Sequence, residues 1–315
     1  MLRFLPAWFL GSLSLVLLAV NTIFWCIPLY AAGLAKLISP FERWRQAWSR
    51  VLMWLAAGWI DCNSALLDVV HEIEWDVRGI DGLRRDGSYL VSCNHQTWAD
   101  IPILQRTFNR KIPFLKFFLK QELIRVPLLG LAWWFLDFPF MKRYSRATLE
   151  RRPELRGKDL ETTRRMCRKF RNSPVSILNF VEGTRFTAAK HAQQRSPYRH
   201  LLRPKAGGMA FALDAMGGAL RSLLDVTIVY PDGAPNFWDF LAGRLHRVIV
   251  RIKEKPIPAD LLGGDYLGDD SARARFQQWI QSVWEEKDTE IDRLLRDLAA
   301  PWSCRSRSAG GSGLR

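Results

Sequence analysis

Between Phe4 and Ala35 the chain carries no charged residue, and the middle of that stretch, Leu13 to Val20, is apolar apart from Ser14. A helix needs about 20 apolar residues to cross a bilayer, so the run predicts a transmembrane helix over about residues 4–27. It is too long for the ~7–15-residue apolar part of a signal peptide. Pro28 is expected to end or kink the helix. Trp44, Trp48, Val51, Leu52, Leu55 and Trp59 then recur at helical spacing, with Arg43 and Arg50 off that stripe. The uncharged part, Val51 to Ile60, is too short to span. A second helix over about residues 41–60 therefore lies in the membrane interface, where tryptophan is favoured, or dips in and returns as a hairpin. A buried amphipathic helix of a soluble core is the alternative.

Beyond about residue 70 the pattern changes. Ile73, Trp75 and Val77 alternate with polar residues, as in a half-exposed strand. Asp81-Gly82 and Asp86-Gly87 mark turns. Apolar runs at Tyr89–Cys93, Ile112–Phe118, Phe138–Met141, Val175–Val181, Val226–Tyr230 and Val248–Ile252 read as strands. Helical patterns cover Leu123–Leu136, interrupted by Pro127, the basic stretch Leu160–Phe170, Met209–Met216 and Ala272–Leu298. This alternation predicts an α/β domain, a mixed central sheet covered by helices, over residues 71–300. Residues 1–70 form the membrane anchor. The Ser-, Gly- and Arg-rich residues 301–315 read as a disordered tail.

Charge sharpens the picture. The 315 residues are 48% hydrophobic and 24% charged, with 46 basic against 31 acidic side chains and a net charge of +15. Such an excess suits a polyanion, either nucleic acid or an anionic bilayer face. The apolar amino terminus selects the bilayer, so nucleic acid is not expected. Only Arg3 precedes the apolar run, whereas Lys36, Arg43, Arg45 and Arg50 follow it, which places the domain on the cytoplasmic side. From Lys142 to Lys205 there are 18 basic and 5 acidic residues, so most of the surplus lies there. Basic residues near an anionic leaflet contribute about 1 kcal/mol each, which fits membrane docking or capture of an anionic headgroup. The five cysteines are scattered without a Cys-x-x-Cys pair, which argues for a reducing compartment and against a zinc site or disulfide framework.

Two segments carry chemistry. In Asn94-His95-Gln-Thr-Trp-Ala-Asp100 a strand ends at Cys93 and a helix is expected near Thr97, a good N-cap residue. Asp100 can then reach back to one ring nitrogen of His95, leaving the other free to accept a proton. Alone, a histidine and an acid five apart are common by chance and fit a structural histidine. Cys93, two residues from His95, offers a thiol nucleophile, although a buried inert cysteine is the commoner case. The second segment is Glu182-Gly183-Thr184-Arg185, directly after a strand. Gly183 permits a tight turn, Arg185 can grip a phosphate with two hydrogen bonds, and Thr184 with backbone amides completes a cradle. Alone, it also fits a surface turn with a Glu182–Arg185 ion pair.

Asn-His-x4-Asp followed some ninety residues later by Val-Glu-Gly-Thr-Arg resembles the glycerolipid acyltransferase family, which includes lysophosphatidic acid and lysophospholipid acyltransferases. Phe140-Met-Lys-Arg143, the segment Leu202-Arg-Pro-Lys205 with Gly207 and Gly208, and the strand Val226 to Pro231 fall where that family places its further blocks. Glu-Gly-Thr-Arg-Phe-Thr and the basic residues after it look closest to the lysocardiolipin-type branch and its bacterial relatives, which implies a bacterial inner membrane. Val181 stands where many members carry proline. The resemblance implies that His95 is the general base and Asp100 its orienting partner. The acyl group passes from acyl-CoA or acyl-carrier protein to a lysophospholipid hydroxyl, without an acyl-enzyme. Arg185, Arg143 and Lys205 hold the acceptor phosphate, and Glu182 contacts the glycerol or orients Arg185. No metal or redox cofactor is called for; the acyl thioester is a co-substrate. A membrane-tethered binding protein without catalysis, for anionic lipid or nucleic acid, and a lipid hydrolase are the competing readings.

Overall fold

The computed structural model describes residues 5–38, 40–141, 151, 174–216, 219–262 and 269–299. Arg143, the basic stretch Leu160–Phe170 and the tail 301–315 lie outside the described residues. The apolar run forms α1, Ala7–Ile38, which passes through Pro28 instead of ending there. A proline removes one helical hydrogen bond; Leu29, Ala32, Gly33 and Lys36 beyond it are buried, and that packing holds the helix on. The hydroxyls of Ser12, Ser14 and Thr22 donate to the carbonyls four residues earlier, which satisfies them on an apolar helix. α1 is long and apolar enough to cross a membrane.

The second helix, α2, runs over Glu42–Val70, ten residues past its expected end. It folds back on α1: Asn21 bonds Asn63 at 2.8 Å, Trp59 Nε1 donates to Thr22 Oγ1 at 3.2 Å, and Gly58 admits the Trp25 ring. The extra turns exist because the domain gives them partners. Leu67 and Val70 are buried, Asp61 pairs with Arg110 at 2.7 Å, and Asp68 pairs with Arg106 at 2.9 Å.

The strands are β1 (Glu74–Arg78), β2 (Tyr89–Cys93), β3 (Leu115–Phe117), β4 (Leu119–Lys120), β5 (Phe140–Met141), β6 (Ser176–Phe180), β7 (Ser222–Val229) and β8 (Arg247–Pro256). Six of them form a mixed sheet in the order β1-β8-β7-β2-β6-β3, and β4 pairs with β5. β7 and β8 are antiparallel, whereas β2 runs parallel to both β6 and β7. All five residues of β2 are buried. Successive side chains point to opposite faces. Leu90, Ile177 and Leu223 join one core, and Val91, Leu178 and Leu224 the other. The first core is closed by the helices Gly207–Met216 and Asp270–Ala299, the second by α3, Asp100–Phe108, and the end of α2. This is the expected helix-covered mixed sheet.

Pro127 splits the expected Leu123–Leu136 helix into a 3-10 turn at Gln121–Arg125 and α4 at Leu129–Phe135. Numbered in chain order, the remaining helices are α5 (Ala188–Gln194), α6 (Gly207–Met216), α7 (Phe237–Leu241) and α8 (Asp270–Ala299). α5 and α7 were not anticipated, since both are too short for periodicity. Each is capped by a side chain: Thr187 accepts the Lys190 amide and Asn236 the Asp239 amide.

Candidate active site

Because β2, β6 and β7 are parallel, with Cys93 level with Phe180 and Val226, the loops after them leave one edge of the sheet together. Open α/β sheets bind ligands at such carboxyl ends. Asn94 fixes the first loop. Its side chain donates to the Ile228 carbonyl and accepts the Ile228 amide, both at 2.9 Å. His95 follows, stacked on Phe180 at 4.0 Å between ring centroids with 16° between planes.

Asp100 is fully buried, and four donors among the described residues meet its carboxylate. Oδ2 meets His95 Nδ1 at 2.7 Å and accepts the amides of Gln96 at 2.7 Å and Thr97 at 3.0 Å. Oδ1 accepts the hydroxyl of Tyr230 at 2.5 Å. α3 therefore starts at Asp100, not near Thr97, because the Thr97 hydroxyl is spent on the Pro235 carbonyl. Burial and the neighbouring Asp100 charge push the Tyr230 phenol well above its ordinary range, so it stays a donor. With Nδ1 held, Nε2 is the nitrogen left for a substrate, and the side chain keeps 16% of its surface exposed.

The turn after β6 is laced to this loop. Phe186 N–H donates to the His95 carbonyl, Lys205 N–H to the Val181 carbonyl, and Gly183 N–H to the Phe180 carbonyl, at 2.7, 2.7 and 2.9 Å. Gly183 has φ +68°, the left-handed region where a side chain is strained. The Lys205 side chain crosses it: a Cβ there would lie 3.3 Å from Lys205 Cδ. Thr184 Oγ1 accepts from Lys190 Nζ at 2.7 Å, and the same ammonium donates to the Arg185 carbonyl at 3.0 Å. The Arg185 guanidinium sits 4.4 Å above the Trp98 ring. The fold thus brings His95, Asp100, Gly183, Thr184, Arg185 and Lys205 to one edge.

Glu182 is placed otherwise. It is 1% exposed, and neither carboxyl oxygen has a hydrogen-bond partner among the described residues. It therefore neither pairs with Arg185 nor faces solvent where a glycerol could reach it. Burial pushes the Glu182 carboxyl up to about 8; the Asp100 charge adds to this, while the nearby His95 and Leu202 amides and the Lys287 ammonium oppose it. Those amides lie close enough to help but outside ordinary hydrogen-bond geometry. Cys93 is fully buried and its thiol is pushed well up, chiefly by that burial, which leaves no thiolate beside His95. Tyr230, Lys190, Trp98 and Phe180 join the site although no sequence motif singles them out. Tyr230 and Phe180 fall at the ends of strand patterns and Trp98 falls between His95 and Asp100, but nothing in their spacing marks their partners.

The sequence profile of the Acyltransferase family matches residues 74–231, which contain this whole edge, and the chain belongs to that family. It is 26% identical over 180 residues to mouse 1-acyl-sn-glycerol-3-phosphate acyltransferase gamma, covering 54% of this chain and 43% of that one. It is 25% identical over 248 residues to the Saccharomyces cerevisiae 2-acyl-1-lysophosphatidylinositol acyltransferase, covering 64% and 60%. The match thus spans under two thirds of either relative. The crystal structure of the 1-acyl-sn-glycerophosphate acyltransferase from Thermotoga maritima shares the fold, with a TM-score of 0.50 at 14% identity over 94% of this chain and 98% of that one.

Proposed function

We propose that the protein transfers a fatty acyl group from an acyl thioester, acyl-CoA or acyl-carrier protein, to the free hydroxyl of lysophosphatidic acid or a related lysophospholipid. The observation that carries this reading is the His95–Asp100 pair at 2.7 Å, set beside the turn of Arg185, against which Lys190 and Lys205 pack. Asp100, itself held by the Tyr230 hydroxyl, fixes the imidazole so that Nε2 takes the proton as the acceptor oxygen attacks the thioester carbonyl. The tetrahedral intermediate then expels the thiolate, and the imidazolium returns the proton to it. General-base assistance of this kind is worth about 10²–10⁴ in rate. Arg185 and Lys205 hold the acceptor phosphate, with Arg143 as a third cation. Lys190 stiffens the turn, and Glu182, neutral and buried, supports the loops from behind. The relatives' names supply the acceptor class.

The re-entrant arrangement of α1 and α2 fits the packing better than a perpendicular span. α1 touches the domain at Leu10 and Gly11, against Gly243 and Trp238, and again at Gly33 and Lys36, against Phe135 and Asp137. Those contacts are about 39 Å apart along a helix, more than the ~30 Å hydrocarbon core. One domain cannot reach both ends of a perpendicular span from one side. The hairpin therefore lies along the domain in the cytoplasmic leaflet, with Leu15, Val16, Ile23 and Phe24 turned outward to lipid.

Purified protein in phospholipid vesicles, given labelled acyl-CoA and a panel of lysophospholipids, is expected to form diacyl lipid. His95→Ala is expected to lower that rate at least a hundredfold with membrane association intact. Free fatty acid as the sole product means a hydrolase, and transfer surviving His95→Ala removes the general-base role.

A further inference from the structure

One surface of the catalytic domain is apolar where a soluble domain would be polar, and it lies beside the site. Trp98, Phe237 and Trp238 are 52%, 49% and 43% exposed. Trp98 and Phe237 meet at 6.4 Å between ring centroids. Trp238 lies over Gly11 of α1, where an added Cβ would be 3.0 Å from the ring. Trp8 and Phe9, within one turn of Gly11 on α1, are exposed as well, so the patch meets the apolar face of the hairpin there. Its other end is Arg185, stacked on Trp98. It is also tied to the catalytic loop, since the Thr97 hydroxyl holds the Pro235 carbonyl just ahead of α7.

We propose that Trp98, Phe237 and Trp238 form an aromatic collar that seats the mouth of the site in a phospholipid leaflet, so that the lipid acceptor enters sideways from the bilayer. The occupant is a leaflet because the collar continues the apolar face of the anchor. Tryptophan also favours the headgroup level, where Arg185 meets the phosphate layer. Exposed apolar patches of this kind mark interaction sites. The collar sets the depth of the site, whereas the hairpin only holds the protein to the membrane. The substrate route rests on the acyltransferase reading.

Two measurements on the full chain in vesicles of phosphatidylcholine with phosphatidylglycerol test it. First, a phospholipid carrying a diazirine on its acyl chain is photolysed and the labelled peptides are mapped, a readout independent of activity. Label on Trp98 and on Phe237 or Trp238 is expected; label confined to the α1–α2 hairpin overturns the collar. Second, Phe237→Ser is compared with wild type on long-chain lysophosphatidic acid in the bilayer and on a short-chain analogue below its micelle concentration. Withdrawing a half-exposed phenylalanine from lipid is expected to raise the KM for the bilayer acceptor about fivefold. The rate on the soluble analogue stays within twofold, and Phe237→Leu restores the bilayer KM. Equal effects on both acceptors, or none, overturn the route. So does light scattering in detergent that shows Phe237→Ser breaking up a dimer. If the acyltransferase reading itself fails, the wild type acylates neither acceptor while the photolabelling result stands.

Discussion

Glu182 carries a carboxyl that the fold keeps from water and leaves without hydrogen bonds, with Asp100 as a like charge nearby. Its ionisation at about 8, against 4.5 ordinarily, means that the folded protein holds a proton that the unfolded chain has lost between those values. This contribution to stability is complete below about pH 4.5 and is lost as the pH rises through about 8, on the order of 5 kcal/mol across the window. Glu182→Gln removes the titration while keeping the volume. At pH 5 the variant is expected to melt slightly below wild type, because an unpartnered buried amide is more polar than the neutral carboxyl it replaces. Between pH 5 and 9 the wild-type midpoint falls relative to the variant's, so the two curves cross. Thermal unfolding in detergent micelles, followed by circular dichroism at half-unit pH steps, measures this. Parallel curves, or a variant that loses more at pH 8.5 than at pH 5.5, would refute the neutral carboxyl. The same reasoning expects the variant to keep acyl transfer at pH 6.5 within a few-fold.

Other positions give equally direct tests. Tyr230→Phe removes the donor to a buried carboxylate and is expected to cost about 1.5–3 kcal/mol of stability. Initial rates should show a lower kcat with KM unchanged, and an unaltered kcat would make Tyr230 a packing residue only. Gly183→Ala forces a side chain into the left-handed region at about 1–2 kcal/mol and pushes on Lys205. A several-fold rise in KM for a phosphate-bearing acceptor, larger than any fall in kcat, is expected in a steady-state assay.

Much of the scaffold was readable along the chain because local pattern and local structure coincide there. The strand Tyr89–Cys93 is buried on both faces and is uninterrupted by polar residues except Ser92. Ala272–Leu298 is a long periodic run that became α8, and the shorter apolar run Met209–Met216 became α6. Helix ends were less legible. α1 continues past Pro28 and α2 past Ile60 because side chains far away in sequence, Phe135, Arg106 and Arg110, complete their packing. Secondary-structure propensity has no knowledge of such partners.

The order of residues alone determined a long apolar N-terminal helix, an alternating α/β domain, a histidine with an acid five residues on, a glycine turn ending in arginine, and where the positive charge is concentrated. These are properties of neighbours in the chain. Tertiary structure decided that Tyr230, 130 residues from Asp100, donates to its second oxygen. It decided that Glu182 is sealed in while Arg185, three residues on, rests on Trp98. It also decided that α1 lies against the domain at both ends. Burial, hydrogen-bond partners and the resulting charge states depend on which distant segments meet, and that is set only when the sheet brings β2, β6 and β7 side by side.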